Sequence, residues 1–90
     1  MEEPSDIRGS AESDELVESA VLFRVLALHP THLTLEELIR ELARDPSAFP
    51  ERDAVERAVR DLAGVGVLHR SGEFVLPTRA ALRLDELLCG

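Results

Sequence analysis

A chain of 90 residues has room for one domain, and a domain of that size buries a core with little stability to spare. Its apolar share of 44% is ordinary, but it holds three Phe and neither Trp nor Tyr, which excludes an aromatic stacking platform for single-stranded nucleic acid. The formal charge of −8 argues against phosphate binding only until its distribution is seen: residues 1 to 20 carry seven acids against Arg8 alone, leaving −2 for the rest, and every basic residue is Arg.

The N-terminus has neither the basic start nor the apolar run of a signal peptide, and no apolar stretch approaches the ~20 residues needed to span a bilayer. A cytoplasmic protein without membrane contact is expected. Residues 1–13 combine acids, Ser, Gly and Pro with almost no apolar content, so they are expected to form a disordered acidic tail ahead of a domain spanning 14–90.

From about Asp14 to Leu28, DELVESAVLFRVLAL has helical length, and Pro30 forces a stop soon after it. At 100° per residue its apolar side chains run almost all the way round, so this first helix needs cover on two sides. A second copy of the chain, meeting it at Leu22 and Leu26, would supply that cover and make the protein a homodimer. The last helix and the hairpin could supply it equally well.

Thr34 followed by Glu37 is a capping-box pattern that starts a second helix, in which Leu35, Leu38, Ile39 and Leu42 keep the rhythm of a one-sided helix as far as Asp45-Pro46. The connection DPSAFP is longer than a compact helix-turn-helix uses, and Pro50 suits a first helical turn. A third helix, over about 50–63, would bury Val55, Ala58, Val59 and Leu62 and expose Arg52, Asp53, Glu56, Arg57 and Arg60, before Gly64 and Gly66 end it.

The segment GVLHRSGEFVLPT then reads as two strands, about 67–70 and 73–76, joined by a Ser71-Gly72 turn. That turn places Arg70 opposite Glu73, His69 opposite Phe74 and Val67 opposite Leu76. Thr78 can cap a last helix whose inner side is Ala81, Leu84, Leu87 and Leu88. Cys89, next to the C-terminus, has no partner cysteine, so neither a disulfide nor a cysteine metal site can form within the chain, and a reducing compartment fits.

The expected architecture is mostly α with a small β-hairpin. In the order helix, short extended piece near Leu33, helix, helix, hairpin, helix, the chain resembles the winged helix-turn-helix family of bacterial transcription regulators. The carriers of the resemblance are LTLEELIREL, ERDAVERAVRDLAGVGVLHR and SGEFVLPT, and it covers about residues 14 to 88. It implies a three-helix core, a two-stranded wing over 67–76 and a C-terminal helix, with the third helix in the major groove of double-stranded DNA and the wing on the backbone. Arg52, Arg57 and Arg60 would then face DNA, with Arg70 beside the wing tip; the planar guanidinium fork suits both phosphate and guanine edges.

The same residues carry a second reading. Asp53 precedes Arg57, and Glu56 precedes Arg60, by four, the favourable order for surface ion pairs that would leave the helix self-neutralised. The domain would then be a winged-helix module for protein contact or dimerisation with no DNA role. An enzyme is not expected: His29 and His32 are separated by Pro30 and share no helix face, His69 reads as packing, no nucleophile with an orienting base is identifiable, and no cofactor or metal motif appears.

Overall fold

In the computed structural model, residues 2–89 are described, with side chains from Asp14 to Leu88. The acidic stretch 1–13, read above as a disordered tail, lies outside the residues described to that level. Among the described residues the chain is mostly helical with one small antiparallel sheet: α1 (Glu2–Leu28), β1 (Leu33–Thr34), α2 (Leu35–Leu42), α3 (Phe49–Gly64), β2 (Leu68–Ser71), β3 (Phe74–Pro77) and α4 (Arg79–Cys89).

The capping box at Thr34 forms in full. Thr34 Oγ1 accepts from the Glu37 amide at 3.1 Å, and Glu37 Oε1 accepts from the Thr34 amide at 2.8 Å, so two amides left orphaned at the start of α2 are satisfied reciprocally. The same Thr34 belongs to β1, which makes this helix start an extension of the sheet. Residues 43–48 then connect α2 to α3 through a turn built on Asp45. Its Oδ1 accepts from the Ser47 amide at 3.1 Å and hydroxyl at 2.7 Å, and its carbonyl accepts from Ala48. The N-cap Ala48 has no side-chain oxygen to offer, and Pro50, lacking an amide, reduces the need for one.

The hairpin differs from its expected register. Ser71 pairs with Phe74, Arg70 with Val75, His69 with Leu76 and Leu68 with Pro77, so the turn residues are Gly72 and Glu73 rather than Ser71 and Gly72. Gly72 explains the displacement. The turn has one positive φ, 62° at Gly72, and placing glycine first of the two central residues confines that strain to the residue with no Cβ. Because each pairing moves by two positions, the two faces keep their members: Leu68 and Val75 still point inward, while His69 and Leu76 share the other face.

The sheet also has a third member. β1 pairs antiparallel with β3, Leu33 against Val75 and Thr34 against Phe74, giving the order β1-β3-β2. The hairpin is thereby tied to the start of α2, and the Leu35 amide adds a hydrogen bond to the Glu73 carbonyl at 3.0 Å.

One core unites these elements. Val21 and Val25 of α1, Leu38 and Ile39 of α2, Val55, Ala58, Val59 and Leu62 of α3, and Leu33, Leu68 and Val75 of the sheet are all buried together. α1 packs most extensively on α3, and α2 packs on α3 beside it. No polar side chain is buried among the described residues, so nothing in the core needs a hydrogen bond it lacks.

The last helix behaves differently from expectation. Thr78 does cap it, its Oγ1 accepting from the Ala81 amide at 3.2 Å while donating to the Gly66 carbonyl at 2.7 Å. Of the four residues expected on its inner side, however, only Ala81 is buried; Leu84, Leu87 and Leu88 are exposed. α4 touches β3 and α1, but among the described residues its buried side is limited to Ala81.

Candidate nucleic-acid interface

Of the residues named as DNA contacts, Arg52, Arg57 and Arg60 lie on α3 and Arg70 on β2 beside the hairpin turn, and their partners divide them. Arg52 is gripped by Glu36 of α2. Its two terminal nitrogens donate to the two carboxylate oxygens at 2.5 and 3.3 Å, and one of them also reaches the Pro46 carbonyl at 3.4 Å. This forked arrangement holds the Arg52 guanidinium above its ordinary pKa and the Glu36 carboxyl below its own; in both, the shared hydrogen bond is the main cause.

Arg57 is likewise occupied. Its Nε donates to Asp53 one turn earlier at 3.0 Å, as the spacing of four predicted, and Asp14 of α1 approaches a terminal nitrogen at 3.6 Å. With both partners near half exposure, each such pair contributes about 0–1 kcal/mol, so phosphate could displace the carboxylates at small cost, but their negative charges would remain beside it.

Arg60 differs. It is exposed on the outer side of α3, and among the described residues it makes neither an ion pair nor a hydrogen bond; the expected contact with Glu56 does not form. Arg70 is exposed near the hairpin tip and, among the described residues, donates only to the Gly72 carbonyl at 3.2 Å, with no bond to Glu73. Among the described residues, the four expected arginines are therefore two held by carboxylates and two without a carboxylate partner.

The connection entering α3 is polar and fixed. Glu51 Oε1 accepts from the Asp45 amide at 2.9 Å, stitching the first turn of α3 back to the loop. The Ser47 hydroxyl, and after it the Ser47 amide, hold the Asp45 carboxyl below its ordinary pKa. The pairs Arg52–Glu36 and Arg57–Asp14 link residues on different helices, so neither carries a spacing signal in the sequence.

The apolar surface lies elsewhere. Leu22, one of the two side chains expected at a dimer contact, packs against the core, and Leu26 is half-buried. The open side of α1 carries Leu16 and Phe23, exposed at 71% and 75%. His32 lies edge-on to Phe74 with ring centroids 5.7 Å apart, and His69 lies across from Leu76 rather than Phe74. Among the described residues no three potential ligand side chains converge on a metal position, and no helix is long and apolar enough to cross a membrane. No family model, curated protein or solved structure matches this chain.

Proposed function

We propose that the chain is a winged-helix domain that binds double-stranded DNA in transcriptional control, inside the reducing cytoplasm, by binding alone and without catalysis. The order α-β-α-α-β-β-α and the sheet order β1-β3-β2 support the winged-helix reading, with α3 as the groove helix and the β2-β3 turn as wing tip. The observation that carries the DNA reading is the pair Arg60 and Arg70, charged, exposed and without carboxylate partners among the described residues, one on the outward side of α3 and one beside the turn. Arg52 and Arg57 are secondary contacts that must first exchange Glu36 and Asp53 for phosphate.

This reading sets a magnitude. Each neutralised phosphate contributes about −0.9 to the slope of log K against log salt, so two free arginines give a slope of roughly −2 per protomer, far shallower than that of a strongly basic DNA-binding protein. Fluorescence anisotropy against pooled duplexes at about 50 and about 200 mM salt measures it. Binding with that slope, weakened by Arg60→Glu, is expected; no binding at the lower salt overturns the proposal.

One observation favours a second reading, a module for protein contact or homodimerisation. Leu84, Leu87 and Leu88 form an exposed apolar stripe on α4, and a stripe of that kind on a small domain commonly marks an interaction surface. Self-association by light scattering together with no DNA binding would select it.

A further inference from the structure

Between α1, the end of α2 and the start of α3 lies an open groove of about 420 Å³. Leu16, Val17 and Ala20 form one wall, and Leu42, Ala54 and Val55 form the other. Its size falls in the lower part of the range of about 300–1,000 Å³ typical of small-molecule sites, and its composition matches them: apolar walls with a few polar groups placed to orient a ligand.

Those groups are Arg44 and Glu51, the charged side chains of the lining. The hydrogen bond from the Asp45 amide to Glu51 Oε1 holds this carboxylate against the backbone next to Arg44, and both residues line the groove. They do not neutralise one another. Neither forms an ion pair among the described residues, and Glu51 Oε2 accepts no hydrogen bond there. An apolar trough lined by an unjoined cation and anion from neighbouring stretches of chain is complementary to a molecule with an apolar body and both charges on one end.

We propose that this groove binds an apolar α-amino acid. The ligand carboxylate takes the forked guanidinium of Arg44, the ammonium takes the free oxygen of Glu51, and the side chain lies between the Leu16 and Ala54 walls. A plain carboxylic acid would leave Glu51 facing its carboxylate without compensation, and a plain amine would leave Arg44 unpaired. The site is independent of the DNA reading: Glu51 and Arg60 are nine residues apart on α3, which at 100° per residue places them on opposite sides of the helix.

The test is an amide chemical-shift titration of the full chain with L-phenylalanine, 3-phenylpropanoate and phenethylamine. Saturable shifts at Val17, Ala20, Ala43 and Ala54 are expected with phenylalanine, with each singly charged analogue at least about tenfold weaker, since each lacks one charge-assisted hydrogen bond. Arg44→Gln should weaken phenylalanine by about tenfold or more, and Ala54→Phe, which fills the trough, should abolish binding. If Ala54→Phe does not fold, Arg44→Gln decides alone, because its side chain is exposed. No saturable shift with phenylalanine, equal affinity for 3-phenylpropanoate, or indifference to Arg44→Gln overturns the proposal. No readout involves DNA, so this outcome stands apart from the fate of the DNA reading.

Discussion

α2 and α4 carry stripes of the same kind and treat them in opposite ways. In α2, Leu38 and Ile39 are wholly buried between α3 and the sheet; in α4, Leu84, Leu87 and Leu88 lie in the open beyond a single buried Ala81. Both helices are amphipathic, so the stripe itself does not determine its cover. What separates them is position in the chain. α2 is fixed at one end by a strand and a capping box and at the other by the Asp45 turn, so its stripe is held against the core. α4 has its cap at Thr78 and one buried residue, Ala81, and its Leu84, Leu87 and Leu88 stand in the open.

Truncation at the two stripes should give the widest contrast. Leu38→Ala removes a side chain with no exposure from the centre of the core, and a loss of about 2–5 kcal/mol in urea unfolding is expected. Leu87→Ala on α4 should change the stability of the monomer by no more than about 0.5 kcal/mol. If Leu87→Ala destabilises as strongly as Leu38→Ala and the loss grows with protein concentration, the α4 stripe is covered by a second copy in solution. A large loss independent of concentration would mean that α4 folds back on its own chain, contrary to the structure.

The anchors come next in size. Thr34→Ala deletes the hydroxyl half of the capping box and should cost about 1 kcal/mol. Gly72→Ala places a Cβ at a φ of 62° where no atom lies close, so its cost is backbone strain alone, about 1 kcal/mol, without loss of packing. Thr78→Ala loses the bonds to Ala81 and Gly66 together, and because it is the principal anchor of α4 it should release that helix while leaving α2 intact. Amide hydrogen exchange would read this as lost protection in α4 alone; uniform loss across both helices would show that α4 belongs to the cooperative core.

The elements most legible in the sequence were those whose signals are local. The Thr34–Glu37 box, the Thr78 cap, the Asp53–Arg57 pair and the buried face of α3 each depend on residues within a few positions of one another. The features that escaped depend on distance. Pairing of Leu33 with Val75, which turns a hairpin into a three-stranded sheet, joins residues 42 positions apart. The clasp of Glu36 on Arg52, which occupies one of the four arginines expected to face DNA, joins two helices. The groove draws on α1, α2 and α3 at once, and nothing in the spacing of Arg44 and Glu51 singles them out. The displaced turn is the exception, a local feature misread: S-G invites a turn on those two residues, while the need for one positive φ at the first central position selects Gly72-Glu73 instead.

The smallest expected effect concerns acid, and it sharpens the contrast between the region around α2 and the free end of the chain. The Arg52 hydrogen bond depresses the Glu36 carboxyl below its ordinary 4.5, and the Ser47 hydroxyl and amide depress Asp45 below its ordinary 3.8. A carboxyl whose folded pKa is depressed stabilises the fold above its unfolded value and loses that contribution as pH falls through the folded one. Stability should therefore decline once pH drops below about 4.5, and the decline should begin at the Glu36–Arg52 clasp before it reaches the Asp45 turn. Glu36→Gln with Asp45→Asn keeps acceptor oxygens while removing both titrations, so its urea midpoints between pH 7 and pH 3 should fall less steeply than those of the unchanged protein. Both contacts are solvent-exposed, and added salt should narrow the gap at the Arg52 clasp in particular, where the stabilisation comes from a full opposite charge. At the Asp45 turn the donors are a neutral hydroxyl and amide, so salt should alter that share much less. Parallel declines in the two proteins would mean that neither depressed carboxyl contributes to folding, and that the α2–α3 connection is held by its buried neighbours alone.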